Sequence, residues 1–113
     1  MKNVKKIANQ ILAAGDRPQV SPTIIEQAIK KEFKKQKIKI IHLSAQVSNK
    51  AKPNVFILYI IVDPKIEIGN KLDNIIREAT KSYSSMTPHI EFNSPKRDGR
   101  TGNTYYVGKL IIF

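Results

Sequence analysis

The stretch "IHLSAQVSNKAKPNVFILYIIVDP", residues 41–64, decides the architecture, because here the hydrophobic period is two, whereas the residues before it follow a helical period. Ile41, Leu43, Ala45 and Val47 alternate with His42, Ser44, Gln46 and Ser48, the pattern of a strand with one buried and one polar face. The turn formers of "SNKAKPN", residues 48–54, put Lys50 and Lys52 at an exposed tip. Val55 to Val62 is then apolar on both faces, which places this second strand centrally in the sheet, and Asp63-Pro64 ends it.

Toward the N-terminus, Ser21-Pro22 reads as an N-cap followed by a first helical residue, with Val20 and Ile25 spaced as a hydrophobic staple. The helix is predicted to run to about Lys35. Ile24, Ile25, Ala28, Ile29 and Phe33 form its apolar face, while Gln27, Lys30, Lys31, Lys34 and Lys35 gather on the other as a lysine ridge. Further upstream, Val4, Ile7, Ala8, Ile11 and Leu12 predict a separate N-terminal helix stopped near Gly15 and Pro18.

Toward the C-terminus, Ile68, Leu72, Ile75, Ile76, Ala79 and Tyr83 trace another helical stripe, with Glu67/Lys71 and Asp73/Arg77 spaced for ion pairs on its wet side. The last segment reads as a hairpin around "SPKRDGRTGN", residues 94–103. A two-residue turn at Asp98-Gly99 would set Arg97 opposite Arg100, Lys96 opposite Thr101, Phe92 opposite Tyr105 and Ile90 opposite Val107. In that register Tyr106 faces outward beside Glu91, available to stack on a base. The apolar pattern stops after Asn93, so the tip is expected to project as a basic arm.

The expected fold is a single α+β domain over residues 1–113, in the order α-α-β-β-α-β-β. It has a four-stranded, mostly antiparallel sheet with helices on one side and a projecting basic β-hairpin.

The formal net charge is +11, unevenly distributed. Residues 1–52 hold 12 Lys/Arg against 3 Asp/Glu, a balance of +9, and residues 53–113 hold 8 against 6, a balance of +2. Clustered cations of this kind suit a polyanion, because neutralising phosphates releases their counterions. A chain rich in Ile, Lys and Asn also carries lysines on faces that merely need solvation.

Several function classes lack their signatures. With no cysteine there is no disulfide frame, thiolate nucleophile or Cys-ligated metal, which fits a reducing, cytoplasmic setting. The longest apolar run is the eight residues Val55–Val62, against the roughly 20 that a membrane-spanning helix requires, so no membrane association is expected. His42 and His89, the only histidines, lack metal-ligand spacing, and no glycine-rich phosphate loop is present. Ser44, Ser82, Ser84 and Ser85 have no nucleophile-elbow context. Asp63, Glu67 and Lys71 read as helix capping plus an ion pair, so neither catalysis nor a cofactor is expected. Gly99-Arg100-Thr101-Gly102 matches the GxxG of KH-type RNA-binding loops, but that loop joins two helices and here the flanks alternate as strands.

By elimination the expected function is non-catalytic binding of a nucleic acid, DNA or RNA. Phosphate contacts are assigned to Lys30, Lys31, Lys34 and Lys35 of the ridge, Lys50 and Lys52 of the turn, and Lys96, Arg97 and Arg100 of the hairpin, with Tyr106 as a stacking surface. A homodimer through the N-terminal helix would double the basic surface. The rival expectation is an assembly subunit that docks on an acidic protein partner.

Overall fold

The computed structural model describes residues 20–113. The helix predicted upstream of Gly15, and the homodimer built on it, lie outside the described residues. Within them the order is α1 (Pro22–Lys35), β1 (His42–Asn49), β2 (Lys52–Val62), α2 (Gly69–Thr80), a 3-10 turn (Lys81–Tyr83), β3 (His89–Phe92), β4 (Lys96–Arg97) and β5 (Thr104–Ile111).

Helix α1 forms where its sequence signals place it. Ser21 is extended and its Oγ accepts a hydrogen bond from the Ile24 N–H at 3.2 Å, satisfying one orphan donor of the first turn, while Pro22 occupies a position that needs no donor. The far end closes in a Schellman arrangement. Ile38 N–H donates to Phe33 O at 2.9 Å across Lys37, which has φ 61°. This turn throws the chain back along α1 into β1.

All strand pairings are antiparallel, and the spatial order is β1-β2-β5-β3 with β4 also beside β5. The apolar strand β2 is central, flanked by β1 and β5, as its two-faced hydrophobicity demands. β2 and β3 run parallel with β5 inserted between them, so α2 is the crossover of a split β-α-β unit.

The expected third strand is two strands, making five. From Phe92 opposite Gly108 to Lys96 opposite Tyr105 the chain advances four residues against three on β5, a one-residue bulge. Pro95, which has no N–H to give the ladder, sits inside that bulge.

The core lies on one face of the sheet, under both helices. Ile25, Ile29 and Phe33 of α1 and Leu72, Ile75 and Ile76 of α2 meet Leu43, Ala45, Phe56, Leu58, Ile60, Val62, Tyr106 and Leu110 from the strands. The buried Thr80 hydroxyl donates to Ile76 O at 2.7 Å, so it leaves no unsatisfied donor. The predicted Glu67/Lys71 and Asp73/Arg77 pairs do not form. Arg77 donates instead to Asn74 at 3.1 Å, and the ion pairs among the described residues are Lys30–Glu26 and Lys81–Glu78, with a hydrogen bond between His89 and Glu91. Exposed pairs of this kind hold their geometry weakly, so a nearby amide competes well.

β1 is an edge strand among the described residues, and α1 reaches over it. The Glu26 carboxylate accepts the Ala45 backbone N–H at 3.1 Å, occupying a donor that the ladder leaves open. No helix of the described residues is long and apolar enough to cross a membrane.

Candidate nucleic-acid interface

The hairpin that carries Lys96, Arg97 and Arg100 has a different register from the one its sequence suggests. Arg97 pairs with Thr104 and Lys96 with Tyr105, so Arg97 and Arg100 do not face each other. The turn is longer because Asp98 organises it. Asp98 N–H donates to Asn103 O and Gly102 N–H to Asp98 O, both at 2.8 Å. The Asp98 carboxylate accepts from Thr101 Oγ1 at 2.7 Å and from the Arg100 N–H at 3.2 Å. The left-handed position falls on Gly102, with φ 76°, and not on Gly99. These hydrogen bonds, the Thr101 hydroxyl first, hold the Asp98 carboxyl below its usual range. Asp98 therefore shapes the loop, and no described carboxylate makes an ion pair with Lys96, Arg97 or Arg100.

The β3–β5 pairing also departs from expectation, with Ile90 opposite Leu110 and Phe92 opposite Gly108. This offset of an odd number of residues exchanges the two faces of β5. Tyr106, expected to face outward and stack, is only 6% exposed and lies in the core, its ring edge-on to Phe92 at 6.5 Å and 89°. It is removed from the interface. Tyr105 takes the outward position, half-buried on the open side of the sheet. The clue in the sequence is Lys109: the phase that buries Tyr105 and Val107 would bury this lysine too.

Burial and the Glu67 carboxylate push the Tyr106 phenol above its ordinary value. A folded pKa above the unfolded value of about 10 means that the folded state holds the proton more tightly. Stability from this group is complete below that pH and is lost as pH rises toward the folded pKa. One of the four tyrosines should therefore titrate late in tyrosinate absorbance, and Tyr106→Phe should remove both the late step and this part of the alkaline destabilisation. A late step that persists in Tyr106→Phe would contradict the buried position.

Lys30, Lys31, Lys34 and Lys35 of α1 are all exposed as expected, and among the described residues Lys30 alone of the four comes within 4.0 Å of a carboxylate, that of Glu26. Lys34 and Lys35 occupy the last turn, where they also offset the negative end of the helix dipole. Between α1 and the start of β1 lies a groove of about 770 Å³ whose wall adds Lys37 and Lys39 to Lys30 and Lys34. Sequence reasoning passed over Lys37 and Lys39 because they fall between elements and join the ridge only after the chain reverses.

Topology divides the expected cations. His42 opposite Ile61 and Val62 opposite Thr104 show that the α1-to-β1 connection and the hairpin tip share one end of the sheet. Lys50 and Lys52 are at the other end, beside the close of β5, since Val55 pairs with Ile111. The eleven residues of β2 separate the two ends by roughly 35 Å. Across the sheet, the β1 and β4 edges are three strand spacings apart, roughly 15 Å.

The side of the sheet away from the helices was expected as a polar face carrying Tyr106, and the tyrosines that occupy it are instead Tyr59 and Tyr105. Strand pairing arranges it in rows: His42, Ile61, Tyr105 and Lys96; then Ser44, Tyr59 and Val107; then Gln46, Ile57, Lys109 and Glu91. Tyr59 is 38% exposed at the centre. The Glu91 carboxyl is held below its usual range by its hydrogen bond to His89, then by the His89 and Lys109 charges. Among the described residues no three His, Asp or Glu side chains gather as a metal site.

No protein-family model matches the chain, and no curated protein shows detectable sequence similarity to it.

Proposed function

We propose that this protein binds nucleic acid without catalysing a reaction on it, through phosphate contacts from the α1 lysine ridge and the basic β4–β5 hairpin. The observation that supports this reading is the gathering of Lys34, Lys35, Lys37 and Lys39 at the same end of the sheet as Lys96, Arg97 and Arg100. None of the seven is in an ion pair with a described carboxylate. Cations left unpaired in this way are available to displace the counterions of a phosphate backbone. Lysine predominates and offers point charges without a planar fork, so affinity should depend little on sequence. Lys50 and Lys52, at the far end, belong to this interface only if the ligand runs the length of the sheet.

The test is fluorescence anisotropy with labelled single- and double-stranded DNA and RNA at several salt concentrations. The expected result is a linear fall of log affinity with log salt, with a slope of about −4 or steeper, as five or so phosphate contacts imply. Feeble binding to every form, equalled by heparin, would reduce the charge to a solvated face.

The α1–β1 groove favours a second reading, an acidic protein segment with an apolar anchor, because Ile41 stands 55% exposed within its lysine-lined wall. Competition by an acidic peptide that duplex DNA does not match would support it.

A further inference from the structure

We infer that the open side of the sheet is a stacking platform for single-stranded nucleic acid, with Tyr59 and Tyr105 as the base-receiving rings; the inference rests on the nucleic-acid reading above. Tyr59 lies opposite Val107 and Tyr105 opposite Ile61, so the two rings are diagonal neighbours on the central strands β2 and β5. Diagonal residues of this kind are about 7–8 Å apart, within reach of two successive bases of an unstacked strand. Both tyrosines are accessible from the side that neither described helix covers, Tyr59 at 38% and Tyr105 half-buried.

Two further features point to this ligand rather than a neutral apolar one. Lys96 stands directly across from Tyr105, and Lys109 is two residues beyond Val107 on the same face, so each flank of the aromatic centre carries a cation. Glu91, the one carboxylate in those rows, is already held by His89. Beside Tyr105 the β3–β4 bulge opens a cleft of about 140 Å³ lined by Asn93, Ser94, Lys96 and Val107. A base stacked on Tyr105 would find amide, hydroxyl and ammonium groups at its edge. A duplex keeps its base faces inside its own stack, so this surface discriminates in favour of single strands.

The test uses the full chain and four variants, Tyr59→Leu, Tyr105→Leu, Tyr59→Phe and Tyr105→Phe. Anisotropy is measured with labelled oligothymidine, oligouridine and a DNA duplex, and sedimentation velocity is run on each protein. Each leucine variant should weaken single-strand binding about tenfold, since a stacked ring contributes on that scale, while each phenylalanine variant keeps it. The salt slope should not change, because no cation has been removed. Duplex affinity should also be unaffected.

Wild-type single-strand affinity in the leucine variants, alongside a steep salt slope, would overturn the platform and leave the nucleic-acid reading standing. Failure of the wild-type protein to bind any of the three ligands would remove the broader reading itself. A shift from dimer to monomer in the leucine variants would assign the face to a second copy of the chain and also overturn the proposal.

Discussion

Lys30→Glu combined with Lys34→Glu should lower nucleic-acid affinity roughly a hundredfold at 0.1 M salt and flatten the salt slope by about two, one for each phosphate that is no longer neutralised. The two residues are one turn apart on the exposed face of α1 and both line the groove beside β1. Reversal therefore places two negative charges where a phosphate track would run. The fold should survive, because the only ion pair removed among the described residues is the 4.0 Å approach of Lys30 to Glu26, a type contributing about 0–1 kcal/mol. Lys34 lies in the last turn of α1, where an acidic residue costs up to about 1 kcal/mol through the helix dipole. Lys30→Gln with Lys34→Gln separates that cost from binding, and should give an intermediate affinity. Unchanged affinity and slope in the charge-reversed protein, with a normal melting curve, would take the ridge out of the site.

The second large effect concerns stability. Gly108→Ala should destabilise the protein by about 3 kcal/mol, at the upper end for overpacking, and lower the melting temperature by roughly 10–20 °C. A methyl group at 108 would stand 2.4 Å from Phe92 Cδ1, 2.7 Å from Phe92 Cε1 and 2.6 Å from the carbonyl oxygen of Glu91. The ring can rotate away, but the carbonyl belongs to the β3 backbone and can move only by disturbing the ladder. Gly108 is thus the floor on which Phe92 lies, and Phe92 in turn holds Tyr106 edge-on. In a Phe92→Ala background the same substitution should cost less, and the difference between the two costs measures the ring's share. A neutral Gly108→Ala would mean that Phe92 does not lie opposite Gly108.

These residues also show where sequence logic reaches and where it stops. The Ser21 cap, the Pro22 start, the end at Lys35 and the central position of β2 were all legible, because each depends on a local pattern or on a hydrophobic run with a single good placement. The hairpin was not. Asp98-Gly99 resembles a two-residue turn, yet the side chain of Asp98 prefers the Arg100 and Thr101 donors, and Gly102 supplies the left-handed step. β5 is apolar on both faces, so its phase had to come from Lys109 and from the partner strand. Tyr59 escaped notice for a similar reason, since a run apolar at every position does not show which side faces solvent. Its phase follows from β1, where Ser44, opposite Tyr59, marks the open side.

The carboxylate of Glu26 on the Ala45 amide has a consequence for how this protein behaves in concentrated solution. Among the described residues the sheet ends in the eight-residue strand β1, and an edge of that length invites an identical edge to join it, the first step toward fibrillar aggregation. Glu26 occupies the middle of that edge from the side, so an incoming strand must first expel an acidic side chain and forfeit its hydrogen bond. Glu26→Ala keeps all four ridge lysines, although Lys30 loses its 4.0 Å partner, and opens the continuous row of backbone groups on which copies of the chain would line up.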